Sequence, residues 1–394
     1  MRNLSIKLKL SLAVVFCLGA IAVANALLAR SKYEQDVRYA AEQAIRQAGQ
    51  SFERMEKHEV DKLSSTLDAL LAEPNLTAYF AQRDREHLYD TAAPIFQELK
   101  QRHAVTHWYF IDPAPSRACF LRVHRPELHD DVIERVTLQN AIRASDTAAG
   151  KELGKTAFAL RVVRPFVSHG RLLGYMELGE EIDDFLTRMK AETGDDFGLV
   201  VEKQFLDEKA WASSRGARRN NWGDDASTVA VDVTSADAPV VGSSAEIRDV
   251  PETGRYLAVV ERGPLLYVRG VVPVLDAAGR KVGGLFVLHD VTALRDRAAV
   301  ERDRVYFVVG VVALVMMALL LVLFELLVFR RLIGMTKAME DVSMRLAGGE
   351  YEIGETLKPA ANDEIGRFEG FLASFLGMIG ATLRELEKRR GTGS

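Results

Sequence analysis

The chain has 394 residues, of which 27% are charged, and its formal net charge is −4. A charge balance this close to neutral lacks the basic excess typical of nucleic-acid binding, so we expect no nucleic-acid partner. Only two cysteines occur, and one of them lies in an apolar run, which excludes a fold held together by intrachain disulfides.

Two long apolar runs, at 10–29 and 305–329, enclose a body of mixed composition at 30–304. A helix rises about 1.5 Å per residue, so each run is long enough to cross a hydrocarbon core of about 30 Å. We therefore predict two transmembrane helices at these positions. Residues 1–9 form a cytoplasmic N-terminus in this interpretation, and the body lies on the opposite side of the membrane.

The first apolar run also fits a second interpretation, a cleaved signal peptide. Arg2, Lys7 and Lys9 give it a basic start, and Ala22-Val-Ala24 matches a small-residue cleavage pattern. The apolar character continues to Ala29, which is long for the core of a signal peptide. This length favours an uncleaved membrane anchor.

The body begins with helix-favouring residues from 30 to about 71, and Glu73-Pro74-Asn75 ends this helical pattern at about residue 75. Two shorter helical patches follow, at 76–83 and 86–103. Aromatic and β-branched residues then predict strands at 107–112 and 119–126, and the apolar spacing at 131–144 predicts an amphipathic helix.

An internal repeat determines the predicted architecture of the body. Residues 158–178 and 267–288 each read as two strands joined by a polar turn, with an offset of about 108 residues. Both copies share four marks at nearly equal spacing. These marks are Arg161, Pro165, Gly170 and Gly174 in the first copy and Arg269, Pro273, Gly279 and Gly283 in the second. Repetition at this period predicts two tandem α/β units.

The body resembles the double Cache sensor domain of bacterial receptors, in which a long helix precedes two tandem PAS-like units. The segments that carry the resemblance are Phe120-Leu-Arg122-Val-His124-Arg-Pro126, Asp130-Asp131, Glu152-Leu-Gly154, Arg161-Val-Val-Arg-Pro165 and Gly174-Tyr-Met-Glu177-Leu-Gly179. The resemblance implies a membrane-distal Cache unit at 76–180 and a membrane-proximal unit at 181–294. A return helix at 295–304 then leads into the second membrane span.

The segment after the second span, 330–386, has two short amphipathic helices separated by a non-helical connector. A single short helix cannot bury an apolar stripe alone, so the pattern predicts a helical bundle with a partner chain. The segment resembles the HAMP domain, a parallel four-helix bundle formed by a dimer. Asn362-Asp363-Glu364-Ile365-Gly366 matches the start of the second HAMP helix, whereas Gly334 stands where that family usually has proline.

By this resemblance, ten residues form or adjoin the bundle core that relays the signal. They are Gly334, Met335, Val342, Leu346, Glu364, Ile365, Phe368, Leu372, Phe375 and Ile379. The connector places Tyr351, Ile353 and Leu357 where apolar side chains can pack against the bundle.

A ligand site is expected on the first Cache unit. Arg122 and His124 are two residues apart on a predicted strand and therefore share a face, while Arg161 lies on a second strand just after Glu152. Converging cationic groups suit a small anion such as a carboxylate. Structural ion pairs of these residues with Glu152, Asp131 or Glu177 are the alternative. Trp108 lines the pocket in one interpretation and packs in the core in the other.

Taken together, the sequence predicts an α+β membrane protein in which two PAS-like antiparallel sheets lie between two transmembrane helices, followed by a dimeric HAMP bundle. We expect an inner-membrane receptor with a periplasmic sensor and a cytoplasmic HAMP domain. Its partners are a small extracytoplasmic ligand, a second copy of the chain, the lipid bilayer, and an output domain or signalling protein. A ligand-independent scaffold for a partner kinase and an anchored extracytoplasmic enzyme are the alternative functions.

We expect no catalytic residues, metal or cofactor. The histidines all lie between 58 and 289, so the tail has no phosphoacceptor histidine, and only a short C-terminal tail follows residue 386. The Gly391-Thr-Gly-Ser394 end reads as a linker. The interpretation is that a native output domain, such as a kinase or a diguanylate cyclase, has been removed.

Overall fold

The computed structural model describes residues 6–153, 158–215, 219–235, 240–350 and 364–391. The chain divides into two compact units. Arg30–Ala298 form one of them, which we call the sheet unit. Met1–Ala29 and Ala299–Ser394 form the other, which we call the helical unit.

Three helices precede the first strand. Helix α1 spans Ile6–Leu71, α2 spans Pro74–Gln82 and α3 spans Arg85–His103. The break predicted at Glu73-Pro74 is confirmed, but α2 begins at Pro74, two residues before the predicted start. Proline is tolerated at the first helical position because the N–H it lacks has no partner within the helix there.

Within the described ranges, ten strands form two five-stranded antiparallel sheets. The first sheet has the strand order β2-β1-β5-β4-β3, and the second has the order β7-β6-β10-β9-β8, which is the same topology repeated. The strands of the first sheet are β1 His107–Ile111, β2 Cys119–Arg122, β3 Ala148–Leu153, β4 Phe158–Ser168 and β5 Arg171–Glu181. Those of the second are β6 Asp196–Glu202, β7 Thr228–Val233, β8 Arg255–Arg262, β9 Leu265–Leu275 and β10 Lys281–Asp290.

Four short helices accompany the sheets. They are α4 Val136–Ala144, α5 Asp183–Thr193, α6 Glu208–Ser214 and α7 Ser244–Arg248. The predicted helix at 131–144 therefore begins five residues late. Arg135 is extended (φ −73°, ψ 145°), and Val132 forms a bridge with Ala118 instead of entering the helix. The strand predicted at 119–126 ends at Arg122, because the chain turns where Arg125 N–H donates to Arg122 O at 3.0 Å.

The two hairpins predicted from the repeat are β4–β5 and β9–β10, and their registers correspond. Phe166 pairs with Gly174 in the first, and Val274 pairs with Gly283 in the second. A Cβ atom on Gly174 would lie 2.2 Å from Ile111 O, and one on Gly283 would lie 2.1 Å from Val200 O. Each repeated glycine thus permits the adjacent strand, β1 or β6, to approach closely.

Helix α1 contributes to the cores of both sheets. Leu63 and Leu67 pack with α2, α3 and one face of the first sheet, which includes Trp108 and Phe110. Ile45 and Phe52, further toward the N-terminus, pack with the second sheet and α5. Burying each such side chain contributes about 1.5–3 kcal/mol, so α1 is held by apolar contacts along much of its length. The predicted α+β class with two tandem PAS-like sheets is confirmed.

The remaining helices are α8 Thr292–Phe324, α9 Arg330–Ala347 and α10 Glu364–Gly391, and a π-helical turn, Glu325–Phe329, lies between α8 and α9. The return helix and most of the second apolar run, predicted as separate segments, are parts of α8, and the run ends in the π-helical turn. Two helical stretches, within Val14–Leu71 and Thr292–Ala347, are long and apolar enough to cross a membrane by length and composition.

In the helical unit, α9 packs against α10. Met335 and Val342 are buried against Leu372 and Leu376, with Leu346 and Ile365 at the edge of this cluster. The connector residues Tyr351, Ile353 and Leu357, together with Asn362 and Asp363, lie outside the described residues.

Candidate ligand-binding site

One face of the first sheet collects charged and aromatic side chains from four strands. Tyr109 on β1 pairs with Arg122 on β2 and with Glu177 on β5, and Arg161 on β4 pairs with Gly179. Directly opposed residues point to the same face of a sheet, so strand pairing alone brings these side chains together. We call this group the Tyr109 site. It comprises Tyr109, Arg122, Arg135, Arg161 and Glu177.

Glu177 is the centre of the Tyr109 site and is fully buried. Its Oε1 accepts a hydrogen bond from Arg161 Nη1 at 2.6 Å and another from Arg135 Nη1 at 2.5 Å. Burial by itself would raise the pKa of Glu177, but the charges of Arg135 and Arg161 outweigh it and lower the pKa. Glu177 is therefore ionised at neutral pH.

The charges at this centre do not balance. Two guanidinium groups share one carboxylate, and the side chains of Arg161 and Arg135 are only 3% and 19% exposed. Within the described part of the chain, Glu177 Oε2 and Arg161 Nε are buried and have no hydrogen-bond partner. Buried polar groups are normally paired, so the site carries one surplus positive charge and unused hydrogen-bonding capacity.

Three guanidinium groups surround the ring of Tyr109. The Cζ atoms of Arg135, Arg122 and Arg161 lie 4.4, 5.2 and 5.6 Å from the ring centroid. A cation within about 6 Å of an aromatic ring is attracted by its quadrupole. The Tyr109 ring thus stabilises the three guanidinium groups by cation–π contacts but carries no negative charge that would neutralise them.

Arg122 is paired within the chain. It donates to both carboxylate oxygens of Asp131 (2.9 and 3.0 Å) and to Leu128 O (2.7 Å). A ligand site and structural ion pairs were the two alternatives predicted for these residues. The structure contains two of the predicted ion pairs, Arg122–Asp131 and Arg161–Glu177. Arg122 is half as exposed as Arg135 and borders the site through its contact with Tyr109.

His124 lies on the same face as Arg122 but follows the end of β2. Its Nδ1 accepts the backbone N–H of Trp108 at 3.2 Å, and its ring contacts those of His107 and Tyr109 edge-on. Burial, and after it the charge of Arg161, lowers the pKa of His124 to about 3. His124 is therefore neutral and contributes ring contacts to the site, not the predicted cationic charge.

Glu152 and Trp108 lie apart from this charge cluster. Glu152 Oε1 accepts hydrogen bonds from the N–H and hydroxyl of Thr137 (2.7 and 3.0 Å), and so caps the start of α4. Trp108 alternates with Tyr109 along β1, so its ring is buried in the core on the opposite face of the sheet.

The sequence interpretation missed Arg135 as a site residue. It was assigned to the middle of a predicted helix, whereas its extended backbone lets the side chain reach Glu177. No sequence pattern signals this orientation. Glu177 was considered only as a possible ion-pair partner, although its position opposite Tyr109 could have been derived from the period of two along the strands.

The second sheet has an arginine–glutamate pair at the equivalent position of the repeat. Arg269, the repeat equivalent of Arg161, donates to both carboxylate oxygens of Glu246, at 2.5 and 3.1 Å. Glu246 comes from α7, and its Oε2 also accepts the backbone N–H of Ser243 at 3.1 Å. Both carboxylate oxygens of Glu246 have hydrogen-bond partners, whereas one oxygen of Glu177 has none in the described part of the chain. Among the described residues, no group of histidine, cysteine or acidic side chains is arranged to hold a metal ion.

In the helical unit, the residues of α10 that were predicted for the bundle core lie on two different faces of the helix. Leu372 is buried against α9, Ile365 and Ile379 are half-buried, and Phe368 and Phe375 are 55% and 49% exposed. On α9, Met335 and Val342 are buried and Leu346 is half-buried. Space is open around Gly334, and α10 begins at Glu364.

Comparison with known proteins relates part of the sheet unit to bacterial sensory domains. Residues 38–230 match the family model described as a double sensory domain of two-component sensor kinases. The periplasmic domain of Vibrio cholerae LuxQ is 10% identical, with a TM-score of 0.38, over 62% of this chain and 98% of that domain. The ligand-binding domain of the Campylobacter jejuni chemoreceptor Tlp3, in complex with 4-methylisoleucine, is 10% identical, with a TM-score of 0.39, over 66% of this chain and 93% of that one. No curated protein matches the chain.

Proposed function

Because residues 38–230 of this chain carry a double Cache sensor module, we propose that the protein is a transmembrane receptor for a small anionic ligand. The observation that supports this ligand class is the surplus charge of the Tyr109 site, where Arg135 and Arg161 share the single carboxylate of Glu177. A carboxylate or a similar anion would neutralise that charge and accept hydrogen bonds from a guanidinium group.

The ligand would enter from the side of Arg135 and Arg122, the two arginines of the site that retain exposure to solvent. A bound anion would compete with Glu177 for Arg135, which lies immediately before α4. Since α4 packs on the same face of the sheet, movement of Arg135 would shift this helix. A ligand biases a receptor only through different affinities for its two states, and coupling energies of about 1–3 kcal/mol are typical.

We place the sheet unit in the periplasm and the segment after residue 329 in the cytoplasm of a bacterial cell. The two candidate membrane spans and the sensor family of residues 38–230 support this topology. An alkaline phosphatase fusion at Ala141 should therefore be active. An inactive fusion, made at normal levels, would argue against this orientation.

We assign residues 330–386 to a HAMP bundle that passes the signal to an output domain or a partner signalling protein. The packing of α9 on α10 supports this assignment, as do the exposed apolar residues of α10. A parallel dimer would cover those residues and complete a four-helix bundle. The receptor itself would be a homodimer.

A thermal-shift experiment on the full-length chain in detergent separates this function from its alternatives. The probes are acetate, succinate, citrate and inorganic phosphate, with glycerol as a neutral control. Stabilisation by one or more anions without chemical conversion is the result expected of a receptor. Absence of stabilisation by any probe would favour a ligand-independent scaffold, and conversion of a probe would indicate an enzyme.

A further inference from the structure

The sheet unit has a polar cleft on the other face of the first sheet from the Tyr109 site. It is a cleft of about 640 Å³ between α1, the end of α3, the end of β5 and α5. Its charged lining residues are His58, Glu59, Lys62, Lys100, Arg102, His103, Glu180 and Arg188. The elements that meet here include α1, which contributes to the cores of both sheets.

Two carboxylates are buried at the floor of this cleft. Glu59 on α1 and Glu180 on β5 are only 1% and 2% exposed. The ammonium of Lys62 lies between them: it donates to Glu180 Oε2 at 2.7 Å and contacts Glu59 Oε2. It also donates to His103 O at 3.0 Å, which ties α1 to the end of α3.

The two carboxylates are unequally neutralised. Glu59 has a second cation, because Arg188 Nη1 on α5 donates to its Oε1 at 2.6 Å. In the part of the chain that the structure describes, the cation paired with Glu180 is Lys62, which Glu180 shares with Glu59. Although Glu59 Oε2 touches the ammonium, among the described residues it accepts no hydrogen bond of ordinary geometry. A proton on Glu180 would supply the donor that this oxygen lacks.

Of the two carboxyl groups, Glu180 is the one that binds the proton, because its pKa is raised while that of Glu59 is lowered. Burial, with a further contribution from the charge of Glu59, raises the pKa of Glu180 to about 7 against the opposing effect of Lys62. Burial would also raise the pKa of Glu59, but Lys62 and Arg188 together lower it. Two carboxyl groups this close titrate as a unit, so the pair holds one proton below neutral pH and none above it.

Other charged groups reach the pair from each packed element. His58 lies on α1, Lys100, Arg102 and His103 lie at the end of α3, and Arg188 lies on α5. Within the sheet, Glu180 pairs with Leu160 on β4, and the His107 ring of β1 is on the opposite face with Tyr109. The basic rim favours the doubly ionised pair at high pH, and the cleft gives protons access from solvent.

We propose that Glu180 and Glu59 form a proton-binding site through which the sensor responds to acidity outside the membrane, as an input separate from the anionic ligand. In the ionised state, Lys62 ties α1 to β5 while Arg188 ties α1 to α5. Protonation replaces the Lys62–Glu180 ion pair by a carboxyl–carboxylate hydrogen bond and loosens the tie between Lys62 and β5. The affected contacts lie where α1 passes from one sheet to the other.

The test is the pH dependence of thermal unfolding of the full-length chain in detergent, between pH 4.5 and 8.5. Glu180 binds its proton more tightly in the folded state than in the unfolded state, so its contribution to stability falls as pH rises through about 7. Glu180→Gln should melt a few degrees above the wild type at pH 8.5 and come close to it only at pH 4.5, where the carboxyl group is protonated in both states of the wild type. His289 titrates in the same direction, so the difference between the two proteins isolates Glu180.

Glu192→Gln is the matched control, because Glu192 also links α5 to α1, through Arg54 and Ser51, but its side chain is 49% exposed. It should leave the pH profile unchanged. A Glu180→Gln profile parallel to that of the wild type would overturn the proposal. Should Glu180→Gln fail to fold, infrared difference spectra of the wild type decide: a protonated carboxyl band must disappear between pH 6 and 8. Neither outcome depends on whether an anion binds at the Tyr109 site.

Discussion

At the scale of single residues, Glu177 determines the chemistry of the Tyr109 site. Its Oε1 accepts hydrogen bonds from the guanidinium groups of buried Arg161 and half-buried Arg135, and its Oε2 accepts none within the described chain. A buried ion pair is weak evidence of stability in itself, because desolvation cancels much of the attraction. Two arginines that share one carboxylate are a stronger indication of a ligand site than a single ion pair, because an anionic ligand can neutralise the remaining positive charge.

Glu177→Gln should destabilise the sheet unit strongly. The change leaves buried Arg161 and half-buried Arg135 without their carboxylate, and removing one partner of a buried pair costs about 3–5 kcal/mol. Urea unfolding of the full-length chain measures the loss, and Glu98→Gln, which removes an exposed carboxylate on α3, should change stability by less than about 1 kcal/mol. A loss below about 1 kcal/mol in Glu177→Gln would show that the arginines are solvated and not confined as described.

His124 provides a pH prediction of opposite sign to that of Glu180. Burial lowers its pKa to about 3, so the unfolded chain takes up a proton near pH 6.5 while the folded chain does not. Its contribution to stability is complete above pH 6.5 and is lost as pH falls toward 3. The full effect of one proton is about 1.4 kcal/mol per pH unit, and buried His107 adds to it in the same direction.

We therefore expect His124→Gln to reduce the slope of unfolding free energy against pH between 6.5 and 4.5, without abolishing it. Glutamine retains an oxygen that can accept the Trp108 N–H. Exposed His169, replaced by Asn, is the control and should keep the wild-type slope. An unchanged slope in His124→Gln would mean that His124 is protonated in the folded protein.

At the scale of secondary-structure elements, the repeated hairpins show what the sequence can predict. Strand periodicity and the shared glycines correctly predicted β4–β5 and β9–β10, because alternation and turn chemistry are local properties. The start of α4 was predicted wrongly, because the tertiary contact that Arg135 makes with Glu177 holds the backbone extended. That contact joins residues 42 positions apart, and no local pattern encodes it.

Gly174→Ala tests the close approach that the repeat implies. The new Cβ would meet both Ile111 O and the ring of Phe80, so either the β1–β5 pairing or the core must shift. Overpacking of this kind typically costs about 1–3 kcal/mol. Gly223→Ala, where nothing lies within 4 Å of the added atom, should be nearly neutral in the same unfolding assay. Equal effects of the two substitutions would contradict the strand register.

Helix α10 has one face against α9 and a second that is uncovered in a single chain. Phe368, Phe371, Phe375 and Met378 follow a spacing of three or four residues and are 49–69% exposed. From apolar spacing alone, Phe368 and Phe375 were predicted to lie in the same bundle core as Leu372. The spacing along one helix does not show which of its apolar residues pack against α9. The structure makes that division.

Phe375→Asp should abolish dimerisation of the helical unit while leaving the α9–α10 packing intact. Single-cysteine variants at Phe368 should cross-link between protomers in membranes, and adding Phe375→Asp should reduce this cross-linking at least tenfold. Leu372→Asp, which buries a charge against α9, should in contrast disrupt the packing within each chain. Unchanged cross-linking in Phe375→Asp would place the dimer contact elsewhere.

At the scale of the whole molecule, composition and periodicity correctly predicted the class of fold, because the apolar runs and the repeat are long-range regularities visible in one sequence. The candidate site was predicted only in part. Arg161 and Arg122 were identified by type and spacing, whereas the balance of charge around them depends on which carboxylates fold beside them. The proposed anionic ligand class therefore rests on the charges of the Tyr109 site, and the proposed receptor function rests on the match of residues 38–230 to a sensory-domain family.

The most direct test of anion sensing is isothermal titration of the full-length chain in lipid nanodiscs with the anion that stabilises it most among acetate, succinate, citrate and phosphate. Arg135→Gln removes the surplus charge and leaves Glu177 paired with Arg161. It should weaken binding at least tenfold, which corresponds to about 1.4 kcal/mol, and lower the melting temperature only slightly. Arg143→Gln, on the exposed side of α4, should bind as the wild type does. Equal affinities in the two variants, or no binding of any probe to the wild type, would contradict the account.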